Sequence, residues 1–185
     1  MARIEVAGLG IEFELLGMAG NPAVAITPGG RFSKDSKGVR ELGEALAAGG
    51  KRVLLWDRPN CGASDICFDA GGESRLQAEV LTSLIRMLEL GPTALVAGSA
   101  GSRVSLIAAV HDSEAVSHLI PWWISGGIIG LMMIGSFYCG DSAAAASSGG
   151  MAAVAQLPVW QEQLTLNPRN REIMLRQDPA EFIKT

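Results

Sequence analysis

The residues best suited to chemistry in this sequence surround Ser99. Residues 97–101 read AGSAG, so a small residue stands two positions before and two positions after the serine. A short apolar run precedes them and an amphipathic segment follows. This spacing predicts a sharp strand-to-helix turn, in which only small neighbours fit and the hydroxyl stands clear of the sheet. The free amides of the following helix would favour negative charge developing on a substrate.

Two other interpretations of this turn remain open. A glycine-rich turn before a helix can bind phosphate, but GSAGSR has no Walker A lysine and does not fit GxGxxG. Ser99 could also serve only as a structural N-cap. Nucleophilic attack by Ser99 is the interpretation that explains the small residues on both sides.

A nucleophilic serine needs a general base, and the sequence offers two histidines, His111 and His118. His111 falls at the far end of the helix that starts after Ser99, about 15 Å away by helix rise. His118 opens the next predicted strand, at the end opposite the serine. We expect neither to reach Ser99, and both to be exposed or capping histidines.

The elements that position these residues alternate between strands and helices. Residues 4–6 and 11–16 are expected to form an antiparallel pair, and four further strands are predicted at 23–27, 52–56, 94–97 and 116–123. Helices are predicted at 33–48, 74–90 and 100–110, then at 128–138, 151–166 and 170–177, with a helix start at 178–181 and a linker or helix start at 141–150. The prediction is an α/β fold with a mostly parallel sheet and flanking helices, whose loops after the strands converge on one side.

Three motifs occur in the order found in a known family. They are TPGG at 27–30, DRPNCGASD at 57–65 and AGSAG at 97–101. With them, the sequence resembles the N-terminal portion of the α/β-hydrolase fold family, of the capped, esterase-like and C–C-hydrolase-like kind. The resemblance implies that Ser99 is the nucleophile. It also implies an oxyanion hole formed by the amides of Ala100 and of Gly30 or Gly29.

The sequence departs from the family pattern at three positions. Pro28 replaces a histidine, Ala97 replaces the first glycine of the turn, and Gly98 replaces the polar residue that precedes the serine. In the family, an acid and a histidine follow the serine late in the chain. No such pair is evident here, so we expect the acid and the histidine to come from a second chain or a C-terminal fragment.

The expected organisation is a hydrolase core over 1–127 and the start of a helical cap over 128–185. Residues 119–140 carry no charge, and we interpret them as a strand and a cleft-covering helix rather than a membrane span. Candidate substrate-binding residues there are Trp122, Trp123, Leu131, Met132 and Phe137; the alternative is ordinary packing. Arg31 is expected to be solvated, and Asp57 and Arg58 to lock the loop after their strand.

Composition bounds the function. The chain has 185 residues, of which 48% are hydrophobic and 18% charged, and a net charge of −4. No basic stripe suits nucleic acid, and the three cysteines have no metal or redox spacing. We expect a cytoplasmic serine hydrolase without cofactor or metal, acting by acyl transfer on an apolar ester, lactone or activated C–C bond. The alternatives are a non-catalytic hydrolase-like protein that binds a small molecule and a membrane-associated protein.

Overall fold

A six-stranded sheet forms the centre of the molecule. The computed structural model describes residues 2–68, 71–124 and 128–184. Its strands are β1 (Ala2–Val6), β2 (Leu9–Leu16), β3 (Ala23–Thr27), β4 (Arg52–Trp56), β5 (Thr93–Ser99) and β6 (Val116–Ile124), in the order β1-β2-β4-β3-β5-β6. β1 and β2 pair antiparallel, and β2 is antiparallel to β4. The other pairs are parallel, which confirms the predicted fold class.

Three helices flank the sheet: α1 (Val39–Ala48), α2 (Glu73–Met87) and α3 (Ala100–His111). The prediction that α1 begins at residue 33 was wrong, because the backbone of Lys34 is drawn away to the Asp57 carboxylate and Gly38 adopts a φ of 87°. α2 ends before residue 90, since Glu89 and Gly91 both take left-handed conformations. Apolar side chains of α2 and α3 pack on one sheet face and those of α1 on the other.

Four helical segments follow the sheet in the described part of the chain: α4 (Ile128–Val154), α5 (Pro158–Leu166), α6 (Arg169–Arg176) and α7 (Pro179–Lys184). α4 is kinked at Gly150, whose φ of 64° and ψ of −168° are not helical. Residues 141–150 were predicted to be a linker or a helix start; residues 141–149 are helical, and Gly150 is not. The predicted single helix over 151–166 is interrupted, because Pro158 has no backbone N–H and starts a new helix instead. The predicted N-cap at Asp178 is confirmed, since its carboxylate accepts from the amides of Ala180 and Glu181.

The four helices build a small core of their own above the loop that follows β4. Trp160, Met174 and Val154 are buried against Ile66 and Phe68 of that loop. Two side-chain amides hold the helices to the loop, and both are buried. Asn170 Nδ2 donates to the Ser64 carbonyl and Asn167 Nδ2 to the Asp65 carboxylate.

The start of α4 contrasts with this core. Ile128, Ile129, Met132, Met133 and Phe137 are all exposed. By length and composition, the helical stretch 128–166 could cross a membrane: an 18-residue window has a mean hydropathy of 1.3 and is only 6% buried. A single helix of this length and composition also occurs in soluble proteins, so the interpretation of 119–140 stays a prediction. The domain boundary predicted at residue 127 lies outside the described residues.

Candidate active site

Ser99 stands at the junction of β5 and α3 with an uncommon backbone conformation. Its φ is 54° and its ψ is −121°, a region that residues with a side chain rarely occupy. Such a conformation costs on the order of 1–3 kcal/mol and persists only where the surroundings impose it. The predicted sharp strand-to-helix turn is therefore present, with Ser99 at its apex.

The neighbours of Ser99 are small because backbone and ring atoms crowd them. A Cβ atom on Gly101 would lie 2.0 Å from the carbonyl oxygen of Thr27, and one on Gly98 would lie 2.5 Å from the Trp122 ring. The departure at Gly98 thus has a local cause, since the indole occupies the space of a side chain there. Opposite the turn, a Cβ on Gly29 would lie 2.7 Å from that of Ser99.

The side chain of Arg58, which follows β4, holds the loop after β3 beside Ser99. Arg58 Nη2 donates to the carbonyl of Gly29 at 3.2 Å and to that of Gly30 at 2.8 Å. The Asp57 carboxylate accepts from the amides of Lys34 and Ala63 at 2.6 and 2.8 Å. Burial raises the pKa of Asp57, and these two amide bonds oppose the rise. Asp57 locks the loop after its own strand as predicted, whereas Arg58 locks the loop after β3.

A cavity of about 170 Å³ opens above Ser99. Gly30, Ser99 and Ala100, which come from two different strand ends, all line it. The predicted convergence of the loops is therefore confirmed. The remaining described lining residues are Arg31, Arg58, Glu73, Ser74, Gln77, Arg103, Leu131, Ile134, Gly135, Tyr138 and Cys139.

The five predicted substrate-binding residues are not brought together. Leu131 lines the Ser99 cavity. The other four do not line the Ser99 cavity or the second, smaller cavity described below. They are Trp122, Trp123, Met132 and Phe137, which are 55, 64, 69 and 78% exposed. The sequence shows that these residues are apolar, but it does not show which face of an edge strand or helix is covered by other residues. A substrate role for these four stays a prediction.

Arg31 corrects the prediction that it is solvated. Its Nη1 donates to the Glu73 carboxylate at 2.7 Å, and its guanidinium carbon lies 4.5 Å from the ring centroid of Trp160. Burial disfavours the charge on Glu73, but Arg31 and an amide of Asn60 outweigh it and hold the pKa of Glu73 below its ordinary value. Arg31 and Glu73 line both the Ser99 cavity and a second one of about 100 Å³, whose lining also includes Phe68, Trp160 and Phe182.

Sequence reasoning missed Arg103 and Tyr138. Arg103 follows Ser99 by four residues, one helical turn, and this spacing alone places both on the same side of α3. Tyr138 lines both cavities, and its hydroxyl lies 3.2 Å from the position of a Cβ on Gly30. No local pattern signals Tyr138, because its position depends on how α4 crosses the sheet.

Both histidines are remote from Ser99. His111 is the last residue of α3, about 16 Å from its start by helix rise. His118 pairs with Ala94 at the other end of β5, while Ser99 pairs with Ile124. Neither residue lines the cavity, and both are exposed. Among the described residues, no group of three or more His, Cys, Asp or Glu side chains could hold a metal ion.

The sheet order and the turn at Ser99 can be compared with solved structures. An α/β-hydrolase from Penicillium superposes with a TM-score of 0.61 at 23% identity, covering 80% of this chain and 54% of that protein. The enol-lactonase from Burkholderia xenovorans superposes with a TM-score of 0.64 at 14% identity, covering 98% of this chain and 70% of that protein. This chain has the α/β-hydrolase fold.

Curated proteins that match part of this chain are named as hydrolases. The 2-hydroxy-6-oxononadienedioate/2-hydroxy-6-oxononatrienedioate hydrolase of Escherichia coli is 31% identical over 91 residues, 49% of this chain and 31% of that protein. The protein of that name from Burkholderia vietnamiensis is 35% identical over 77 residues, 42% of this chain and 27% of that protein. The matched part of the chain spans about a third of these relatives. No family model matches.

Proposed function

We propose that this chain is the nucleophile-bearing part of a serine hydrolase that works by acyl transfer. The observation that carries the proposal is the strained conformation of Ser99, with Gly30 and Ala100 beside it in one cavity. Strain of this kind, held by buried glycines, is characteristic of functional sites. A merely structural N-cap does not require it, and Ser99 forms no side-chain cap hydrogen bond.

In the proposed reaction, Ser99 Oγ attacks a carbonyl carbon while a base accepts its proton. The carbonyl electrons move to the oxygen, which the amides of Ala100 and Gly30 stabilise; one such donor contributes about 3 kcal/mol. The tetrahedral intermediate then collapses: the bond to the leaving group breaks as the base gives its proton to that group. Water, losing a proton to the base, attacks the acyl-enzyme, and the acid is released as the Ser99 hydroxyl is restored. The names of the relatives describe hydrolysis of oxo-dioates and lactones, which supports an ester, lactone or activated C–C bond as the target.

The base and acid are proposed to come from polypeptide outside this chain, either a second chain or a C-terminal fragment. The remote positions of His111 and His118 support this. So does β6, which ends the described sheet and exposes Trp122, Trp123 and Ile124 along its length. An open edge of this kind offers backbone groups that a further strand could pair with.

A non-catalytic binding protein is the second candidate. Its support is the same distance between Ser99 and both histidines, combined with a cavity that is nevertheless formed. Such a protein would keep the pocket and bind a small molecule without turnover.

Reaction with a fluorophosphonate, followed by intact-mass spectrometry, tests the proposal. The purified chain is treated with and without added imidazole, which can stand in for a histidine base. The hydrolase proposal predicts one adduct whose rate of formation rises with imidazole and that is absent in Ser99→Ala. An adduct that persists in Ser99→Ala, or none at any imidazole concentration, would contradict it and favour the binding protein.

A further inference from the structure

The Ser99 cavity carries an excess of positive charge. Its described lining includes three arginines, Arg31, Arg58 and Arg103, but Glu73 as its one carboxylate. Arg31 and Glu73 neutralise each other in their 2.7 Å ion pair. Glu73 also attracts Arg58 at longer range, but three arginines against one carboxylate leave an excess of two positive charges beside the serine.

Arg58 is buried, yet its polar partners are all neutral among the described residues. Its side chain donates to the carbonyls of Gly29 and Gly30 and to the side-chain oxygen of Gln77. The residue is 2% exposed, and its Nε has no hydrogen-bond partner in the described part of the chain. A buried guanidinium without a counter-charge is costly, so an anion in the cavity would stabilise it.

Arg103 supplies a second, more accessible guanidinium. Its Nε donates to the Ser74 hydroxyl at 2.9 Å, which directs the side chain across the mouth of the cavity between α2 and α3. No carboxylate within 4.0 Å pairs with Arg103 among the described residues, and its two terminal nitrogens are not engaged by them. The residue lies one turn along α3 from Ser99, about 6 Å by helix rise.

We infer that the Ser99 cavity binds a ligand carrying a carboxylate, with Arg103 and Arg58 as the groups that hold it. The planar fork of a guanidinium suits a carboxylate better than a point charge would. The amides at the start of α3 add to the same field. Leu131 and Ile134 of α4 form the apolar wall opposite, so the ligand is an amphipathic carboxylate.

This inference rests on the proposed function only in taking the bound carboxylate as substrate. In a hydrolase, the carboxylate is a group of the substrate additional to the bond that is cleaved. Arg103 would then determine specificity, because among the described residues its terminal nitrogens and the Nε of Arg58 have no partner, and a neutral substrate would put none in place of the carboxylate. Binding itself does not require the serine.

The test compares phenylacetate with phenylacetamide, which have nearly the same shape but differ in charge. Binding to the whole chain is measured by calorimetry, in the Ser99→Ala background as well as in the wild type. We expect phenylacetate to bind at least about tenfold more tightly than the amide, since hydrogen bonds to charged groups are the stronger ones. The preference should persist in Ser99→Ala, which separates it from the fate of the hydrolase proposal.

Variants of two arginines make the test specific. Arg103→Gln should abolish the preference for the acid and Arg103→Lys should retain part of it, while circular dichroism confirms that each variant is folded. Arg75→Gln removes the same charge from an exposed site on α2, and it should leave the preference unchanged. Equal affinities of the wild type for acid and amide, including no binding of either, would overturn the inference, as would an unchanged preference in Arg103→Gln.

Discussion

The two surfaces that flank Ser99 are built very differently. On the side of β3, β4 and the start of α3, the buried side chains of Asp57 and Arg58 fix the loops after β3 and β4 by hydrogen bonds to their backbone. On the side of β6 and the start of α4, large apolar side chains such as Trp123, Met132 and Phe137 face outward. The proposed nucleophile Ser99 and the proposed oxyanion donors Gly30 and Ala100 belong to the first surface.

This difference agrees with the proposed division of the chemistry, in which the chain supplies the nucleophile and the oxyanion donors. A nucleophile and its oxyanion hole must be placed accurately before the reaction, and the first surface does this with strain and close backbone contacts. Among the described residues of the second surface, His118 lies too far from Ser99 to act as its base, and the apolar core is not completed. The proposed partner segment would cover it and bring both.

The largest expected difference is in the free energy of unfolding, when one methionine in a buried helix and one in an exposed helix are each replaced by alanine. Met174 of α6 is fully buried and Met132 of α4 is 69% exposed. Met174→Ala should lower the free energy of unfolding by about 2–5 kcal/mol, because it leaves a cavity. Met132→Ala should change it by less than about 0.5 kcal/mol. Urea unfolding measures both, and equal losses would show that the start of α4 is packed after all.

A methyl group at Gly101 tests the close contact beneath the serine. Gly101→Ala should cost about 3 kcal/mol, because the new Cβ would meet backbone oxygens of Thr27 and Pro28 that cannot easily move. Gly140→Ala is the matched control in α4, where nothing lies within 4 Å, and it should stabilise the helix by up to about 1 kcal/mol. The same sign for both in chemical unfolding would argue against the crowded turn.

Relief of strain at Ser99 should have a smaller effect. Glycine adopts a positive φ readily, so Ser99→Gly is expected to be more stable than Ser99→Ala by about 1 kcal/mol. Both variants lack the hydroxyl, and their difference therefore isolates the backbone. Equal thermal unfolding midpoints would mean that the turn stores no strain.

The Arg31–Glu73 pair should give the smallest effect, visible through pH. The pKa of Glu73 lies below its ordinary value of 4.5 in the folded protein. Its contribution is therefore present above about pH 4.5 and is lost as the pH falls through the folded pKa. Because the side chain is 37% exposed, the contribution is less than about 1 kcal/mol.

Urea midpoints of the wild type and Glu73→Gln should differ near neutral pH and converge in acid. Glu5→Gln changes an exposed residue of β1 and serves as the control, with no such convergence. A gap between the wild type and Glu73→Gln that is constant with pH would contradict the role given to the Arg31–Glu73 pair.

Local sequence signals were sufficient to predict the strands, the turn at Ser99 and the loops that contain TPGG at 27–30 and DRPNCGASD at 57–65. These features follow from short-range sterics, such as the small residues at 97–101. The position of Arg31 could not be predicted, because its partners Glu73 and Trp160 lie 42 and 129 residues further along the chain. The helical conformation of residues 141–149 could not be predicted either, since alanine favours a helix while serine and glycine oppose it. Exposure of Trp122 and Trp123 depends on what pairs with β6, which no local pattern encodes.

The most direct test of the account is the origin of the base. The rate of fluorophosphonate labelling is measured with and without imidazole. It is compared between the wild-type chain and the double variant His111→Gln, His118→Gln, and Ser99→Ala serves as the blank. We predict that the double variant is labelled at the wild-type rate, because neither histidine reaches Ser99. Loss of labelling in the double variant while the wild type reacts without imidazole would place the base within this chain and contradict the account.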